Sequence, residues 1–188
     1  MYFSRLTLNP RSRLARADAA NPYKMHQTLS RILEPEKNYL WRLEDTILLV
    51  QTQSRPDWGQ LEPNYLLRPS ESKPLEFTLS TERTYRFRLR TNPTITQAGK
   101  RRGLYTLETQ MPWLERQALC GGFGLLGAMV SHSDCWKVRK DSNSDPITLA
   151  VAEFDGHLKI TNLELFQTTL QKGIGHSKAL GLGLLSIG

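Results

Sequence analysis

Alternation of apolar and polar residues predicts the strands of this chain. The clearest case is residues 83–91, where apolar side chains occupy every second position and arginines lie between them. Residues 2–8 alternate in the same way, with a β-rich composition, and predict a first strand. Residues 38–43 and 46–52 are separated by two polar residues and predict a hairpin. Other strands are predicted at residues 76–79, 123–130, 135–139, 147–154 and 184–187. A turn at Asp155-Gly156 and a short strand that ends at residue 160 are predicted after residue 154.

Capping residues predict three helices. Asn21 precedes a proline, which is typical of an N-cap followed by the first helical turn, and the helix should run to about residue 33. A second helix is predicted over residues 112–119, ended by a pair of glycines. A third follows Asn162 and ends at Gly173, with leucine and phenylalanine repeating at helical spacing.

The order of these elements predicts the fold class. Two passes of strand, helix, strand, strand, helix, strand account for 188 residues, so we expect an α+β protein with tandem ferredoxin-like domains. We place the boundary at Asn92-Pro93, which gives an N-terminal domain of residues 1–92 and a C-terminal domain of residues 93–188. The second helix of the first domain is poorly marked, because residues 54–74 predict mostly loop with a short helix near 63–67.

Composition and charge narrow the possible classes of protein. Mean hydropathy is −0.44, and no apolar run has the roughly 18 residues of a membrane-spanning helix. Residues 1–8 lack the pattern of a secretory signal, so we expect a cytoplasmic protein without a membrane partner. Lysine and arginine number 25 against 18 acidic residues, and the net charge of +7 favours a polyanionic partner. A basic scaffold for other proteins, without a polyanionic partner, is the alternative.

Tyr23 and His26 lie three residues apart near the start of the first predicted helix, so their side chains share one face. A phenol and an imidazole together can transfer protons, since histidine has a pKa near neutrality. Arg31 lies about two turns beyond Tyr23 and can stabilise the charge of a phosphorane. On spacing alone, packing of both rings in the core explains the pair more simply than catalysis.

Residues 173–183 form a glycine-rich segment that contains His176, Ser177 and Lys178. Its spacing matches neither a Walker A loop nor a dinucleotide-binding motif, so a nucleotide cofactor is not expected. Main-chain N–H groups near Gly175 and Ser177, together with the charge of Lys178, suit a phosphate backbone. A turn-rich connection to the last strand explains the segment equally well.

Charged strand faces are usually just solvated, but three separate basic clusters with few acidic residues between them, in a chain of net charge +7, favour a track of phosphates. Such contacts contribute affinity and little sequence preference. The clusters consist of Arg86, Arg88 and Arg90; Lys100, Arg101 and Arg102; and Lys137, Arg139 and Lys140.

Metal ligands are not predicted. His132, Asp134, Cys135 and Cys120 match no zinc spacing, and two cysteines are too few for a disulfide framework. No paired acidic motif of a two-metal nuclease is evident in the sequence. We therefore expect neither a metal ion nor another cofactor.

Over nearly its whole length the sequence resembles the CasE family of CRISPR-associated endoribonucleases, the repeat-cutting subunit of the type I-E Cascade complex. Three segments carry most of the resemblance: Asn-Pro-Tyr-Lys-Met-His at residues 21–26, Phe-Arg-Leu-Arg-Thr-Asn-Pro at 87–93, and the glycine-rich segment extended to residue 186. The combination of the second and third segments is specific to this family.

The resemblance implies metal-independent cleavage of the CRISPR repeat stem-loop by the RNA's own 2′-hydroxyl, leaving a 2′,3′-cyclic phosphate and a 5′-hydroxyl. Catalytic roles are implied for Tyr23 and His26, and Arg31 corresponds to a basic position in some relatives. Arg139 and Lys140 correspond to the hairpin that enters the RNA major groove. The implied partners are the repeat stem-loop RNA and other Cascade subunits, and we expect a monomer when the chain is free. The alternative is a non-catalytic subunit that only holds the hairpin.

Overall fold

The computed structural model describes residues 1–76, 78–141 and 143–188. They divide into two compact units, the first built from residues 1–77, 138–146 and 179–181 and the second from residues 78–137, 147–178 and 182–188. None of the described helices combines the length and apolarity that a bilayer span requires.

The first unit is a four-stranded antiparallel sheet with two helices. The strands lie in the order β2-β3-β1-β4, and β1 pairs with both β3 and β4. In the sequence, a 3-10 helix, Trp58–Gln60, lies between β3 and β4. The elements are β1 (Tyr2–Thr7), α1 (Arg13–Ala19), α2 (Pro22–Leu33), β2 (Leu40–Glu44), β3 (Ile47–Thr52) and β4 (Glu71–Pro74).

The apolar face of α2 forms the core of the first unit. Met25 and Leu29 are almost completely buried on this face, in one cluster with Leu48 and Val50 of β3. Burial of each such side chain stabilises the fold by about 1.5–3 kcal/mol. The core therefore fixes which side of α2 remains free to carry polar groups.

The second unit contains a second four-stranded sheet, in the order β10-β5-β9-β8, and a separate two-stranded sheet of β6 and β7. Pairing of β5 with both β9 and β10 is antiparallel. The elements are β5 (Thr84–Thr91), β6 (Thr94–Gln97), β7 (Lys100–Gly103), α3 (Leu107–Cys120), β8 (Phe123–Val138), β9 (Ile147–Ile160), α4 (Leu163–Lys172) and β10 (Leu185–Ile187).

Both four-stranded sheets have the strand order of a ferredoxin-like domain, so the predicted fold class, α+β with two such domains in tandem, is confirmed. In the first domain the second helix is reduced to the 3-10 turn at Trp58–Gln60. The division differs from the boundary placed at Asn92-Pro93. Because β4 already pairs with β1 as the fourth strand, β5 opens the second domain.

Several predicted elements are confirmed to within two residues. They are the strands at 2–8, 83–91 and 184–187, the hairpin at 38–52, and the helices that follow Asn21 and Asn162. The helix predicted at 112–119 begins earlier, at Leu107, and carries Pro112 inside it. The short helix α1 was not predicted, and residues 63–67 form no helix. Of the strand predicted at 76–79, residue 77 lies outside the described residues and the other three lie in no strand.

The strands predicted at 123–130 and 135–139 form one long strand, β8, and the predicted turn at Asp155-Gly156 lies inside β9. Gly156 therefore forms no turn, and it is a glycine because the neighbouring strand passes close to it. A β-carbon on Gly156 would overlap the carbonyl oxygen of Gly127 and approach Ala128, so the side chain of any other residue would collide with the neighbouring strand.

Candidate functional site

The first turn of α2 carries Tyr23 and His26. Asn21 caps the helix, because its Oδ1 accepts a hydrogen bond of 3.0 Å from the backbone N–H of Tyr23, and Pro22 occupies the first helical position. Met25 is buried in the core, whereas Tyr23 and His26 are half-buried. The helix thus holds both candidate side chains at the margin of the core.

His26 is held by two hydroxyl groups. Its Nδ1 lies 2.7 Å from Oη of Tyr39 and 3.4 Å from Oγ of Ser30, and the two hydroxyl oxygens lie 2.7 Å apart. Burial lowers the pKa of His26 below its usual 6.5. Burial raises the pKa of Tyr39 above 10, and the hydrogen bond to Ser30 opposes this. Burial thus favours the neutral form of both rings.

Ser30 and Tyr39 were not predicted from the sequence. Ser30 lies four residues after His26, a spacing that places two side chains on one helix face and can be recognised in the sequence. Tyr39 lies beyond the end of α2, just before β2, and is buried. No local pattern marks it, because folding of the hairpin brings it to His26.

Tyr23 and Arg31 lie on α2 without joining this network. Arg31 is exposed in the last turn of the helix. Among the described residues, neither the hydroxyl of Tyr23 nor the guanidinium of Arg31 has a hydrogen-bond partner, and no hydrogen bond joins Tyr23 to His26. Both groups are available to contact a ligand.

The basic segment at residues 139–140 lies at the start of α2. The backbone carbonyl of Arg139 accepts a hydrogen bond of 3.1 Å from Nδ2 of Asn21. Arg139 and Lys140 are exposed, as is Lys137 near the end of β8. Arg139 and Lys140, which belong to the same unit as α2, thus place positive charge next to the turn that carries Tyr23.

The glycine-rich segment is tied to the end of β5. Thr91 donates a hydrogen bond of 2.8 Å to the carbonyl of Ile174, and Nδ2 of Asn92 donates one of 3.0 Å to Oγ of Ser177. A β-carbon on Gly175 would overlap the hydroxyl of Thr91, and the φ angle of Gly175 is +86°, so glycine is required at this close approach.

Positive charges surround the glycine-rich segment. Burial lowers the pKa of Lys178, and the nearby charge of Lys172 lowers it further. Burial also lowers the pKa of His176, as do the charges of Arg101 and Lys178. Within the part of the chain that the structure describes, Arg101, Lys172 and Lys178 form no salt bridge. An anion bound here would relieve this mutual repulsion.

The arginines of β5 are in a different electrostatic environment. Nε of Arg88 lies 2.7 Å from Oδ1 of Asp155, and Arg90 lies 2.6 Å from Glu153. These carboxylates of β9 neutralise part of the positive charge that the sequence predicts on this strand. Arg86 pairs in register with His157 and is exposed. The cluster Lys100, Arg101 and Arg102 is exposed on β7.

The described residues contain no group of three or more histidine, cysteine, aspartate or glutamate side chains placed to hold a metal ion. Both cysteines, Cys120 and Cys135, are exposed and free.

The chain is similar to known proteins over its full length. The sequence matches the family described as CRISPR associated protein over residues 1–188. The CRISPR-associated endoribonuclease Cse3 of Thermus thermophilus is 37% identical over 210 residues, which cover 100% of this chain and 99% of the relative.

Two solved structures are similar in fold and sequence. CRISPR endoribonuclease Cse3 bound to 19 nt RNA is 38% identical with a TM-score of 0.91, and the match covers 100% of both chains. Thermus thermophilus Cse3 bound to an RNA representing a pre-cleavage complex is 37% identical with a TM-score of 0.90, over 100% of this chain and 98% of the other.

Proposed function

We propose a function for this chain on the premise that it belongs to the CRISPR-associated protein family, in which its relative Cse3 is an endoribonuclease. The chain is a metal-independent endoribonuclease that cleaves CRISPR precursor RNA within the repeat stem-loop. The observation that carries this proposal is the similarity of the entire chain, in sequence and in fold, to Cse3 in complexes with RNA.

The reaction is an internal transfer of the phosphoryl group. The 2′-oxygen upstream of the scissile bond forms a bond to phosphorus while the bond from phosphorus to the 5′-oxygen breaks. One proton leaves the 2′-hydroxyl and one is added to the 5′-oxygen, which gives a 2′,3′-cyclic phosphate and a 5′-hydroxyl. The protein has to align these oxygens and move protons.

Residues of α2 supply these needs. His26 acts as the proton-transfer group, because imidazole is the side chain that gains and loses a proton most readily in the physiological pH range. The hydroxyl of Tyr23 positions or assists the reacting groups. Arg31 stabilises the negative charge that develops on the phosphoryl oxygens. The free hydroxyl of Tyr23 and the exposed guanidinium of Arg31 support these assignments.

The proposed contacts to RNA come from the basic clusters and from the glycine-rich segment. Exposed cations without carboxylate partners contribute most of the affinity, whereas Arg88 and Arg90 contribute less because they are ion-paired. The proposed RNA-binding residues are Arg86, Arg88, Arg90, Lys100, Arg101, Arg102, Lys137, Arg139, Lys140, Gly175, Ser177 and Lys178.

After cleavage the protein stays bound to its product and serves as a subunit of the Cascade complex. The free chain is a monomer. This assignment is supported by the resemblance of residues 21–26, 87–93 and 173–186 to the CasE family.

Cleavage of a repeat stem-loop RNA by the pure protein in EDTA tests the proposal. We expect one cut within the repeat, with a cyclic phosphate detected by mass spectrometry on the upstream product. Tight binding without any cut would indicate a non-catalytic RNA-binding subunit. Absence of salt-dependent RNA binding would indicate a basic scaffold for other proteins and contradict the proposal.

A further inference from the structure

We propose that Tyr39 is a positioning residue that determines which ring nitrogen of His26 carries the proton, and that it thereby makes His26 the proton donor in RNA cleavage. The inference rests on the proposed function, because it assigns a role within that reaction. Tyr39 lies outside α2, and the family resemblance implies no role for it.

The contact is short and buried on one side of the imidazole. Oη of Tyr39 lies 2.7 Å from Nδ1 of His26, and only about a tenth of Tyr39 is exposed. The two ring centroids are 6.0 Å apart and tilted by 30°. Among the described residues, no hydrogen bond reaches Nε2 of His26. The ring is therefore held by its Nδ1 edge, and its Nε2 edge is free for a ligand.

The chemistry of the three groups determines the direction of these hydrogen bonds. A phenol is a stronger acid than the hydroxyl of Ser30, and a bare imidazole nitrogen is the strongest base in the network. The phenol of Tyr39 therefore donates to Nδ1, and the hydroxyl of Ser30 donates to Oη of Tyr39. Because Nδ1 accepts a proton in this arrangement, neutral His26 carries its own proton on Nε2.

Protonation of His26 reverses this bond without breaking it. The added proton lies on Nδ1 and is donated to Oη of Tyr39, whose own proton turns to Oγ of Ser30, 2.7 Å away. Nε2 carries a proton in both forms. In the reaction, the imidazolium gives its Nε2 proton to the leaving 5′-oxygen, and the proton of the 2′-hydroxyl passes to water. His26 then recovers a proton on Nε2 from solvent.

The test compares the Tyr39→Phe variant with the unaltered protein by NMR and by cleavage. Nitrogen-15 shifts of the His26 ring distinguish a protonated from a bare nitrogen, and the His26→Ala variant assigns these signals among the four histidines. In the unaltered protein above the pKa of His26 we expect a bare Nδ1 and a protonated Nε2. In Tyr39→Phe we expect a mixture of both tautomers.

Single-turnover cleavage should fall by about 10- to 100-fold in Tyr39→Phe, because the imidazole remains but its Nδ1 has no phenol to hold it. RNA affinity should not change. Tyr65→Phe is the matched control, since it also removes a buried phenolic hydroxyl of the first unit, one that donates to Asp18 at 2.8 Å. It should keep the tautomer of His26 and the cleavage rate.

Three results would overturn the inference, and they are distinguishable. If His26→Ala is inactive while Tyr39→Phe matches the unaltered protein in both tautomer and rate, only the role of Tyr39 fails. If His26→Ala cleaves at the normal rate, the catalytic role of His26 fails and the role of Tyr39 fails with it. A proton on Nδ1 in the unaltered protein would also overturn the inference.

Discussion

Asn21 donates a hydrogen bond of 3.1 Å from Nδ2 to the backbone carbonyl of Arg139. Oδ1 of the same amide accepts a hydrogen bond of 3.0 Å from the backbone N–H of Tyr23. One side chain therefore starts the helix that carries His26 and also anchors the basic segment at residues 139–140. Because the two bonds use different atoms of the amide, substitutions can remove them one at a time.

Asn21→Ser keeps a side-chain oxygen for the cap and removes the donor to Arg139. We expect it to lower the free energy of unfolding by about 0.5–1.5 kcal/mol, the usual contribution of one hydrogen bond. Asn21→Ala removes both bonds and should cost about 1 kcal/mol more. Chemical denaturation measures both values. Equal decreases in the two variants would show that the bond to Arg139 alone carries the effect and that the cap contributes nothing.

His26→Ala should lower single-turnover cleavage by about 10²–10⁴-fold, since proton transfer is removed. The affinity for the repeat hairpin should change little, because the phosphate contacts remain. Tyr23→Phe keeps the ring and removes only the hydroxyl, so a smaller defect is expected. A parallel decrease of binding and cleavage in His26→Ala would contradict its chemical role. A normal rate for Tyr23→Phe would mean that its hydroxyl takes no part in the reaction.

Replacement of Arg139 and Lys140 by alanine should weaken RNA binding and flatten its salt dependence, by about one unit of log–log slope for each phosphate that the variant no longer neutralises. Affinity measured across a series of salt concentrations gives this slope. Alanine at Arg11 and Arg13, an exposed basic pair outside the proposed RNA surface, is the matched control. If both double variants have the slope of the unaltered protein, Arg139 and Lys140 face only solvent.

The indole ring of Trp41 leaves no space for a side chain at position 181, so this residue must be glycine. Its φ angle is +79°, and a β-carbon there would lie 2.6 Å from Cζ3 of the indole. The indole cannot easily move, because it is buried and its Nε1 donates to the carbonyl of Ala179 at 3.2 Å. Gly99 has a similar φ of +73°, and no atom beyond the adjacent residues of the chain lies within 4 Å of the same position, which makes it the matched site.

Gly99→Ala should therefore cost about 1 kcal/mol of stability from backbone conformation alone. Gly181→Ala adds overpacking and should cost about 1–3 kcal/mol more. Thermal or chemical unfolding of the two variants gives the difference. A Gly181→Ala protein as stable as Gly99→Ala would show that Trp41 moves aside at no cost.

The sequence predicts those elements whose determinants are local. The helix after Asn21 begins and ends where capping and proline rules place it, and the strand at 84–91 follows its alternation. Elements that depend on distant residues are less predictable. Gly156 resembles a turn residue in the sequence, but it is a glycine because β8 passes close to it. Likewise, pairing of β4 with β1 assigns β5 to the second domain, and no local pattern reveals that pairing.

The candidate site shows the same limit. Tyr23, His26 and Arg31 follow from helical spacing and from the family resemblance. The partner of His26 at Nδ1 is Tyr39, which reaches it through the fold of the hairpin. Ion pairing of Arg88 with Asp155 depends on the register between β5 and β9, so the sequence alone overestimates the free charge of that strand.

Substitution of a single 2′-deoxynucleotide just upstream of the scissile phosphate tests the central claim most directly. If the 2′-hydroxyl is the nucleophile, this substrate should bind with nearly normal affinity, because one hydroxyl contributes little beside the phosphate and stem contacts. It should not be cut, whereas the unmodified RNA should give a cyclic phosphate in EDTA. Cleavage of the deoxy substrate at a normal rate, or a 3′-hydroxyl product that requires magnesium, would contradict internal attack.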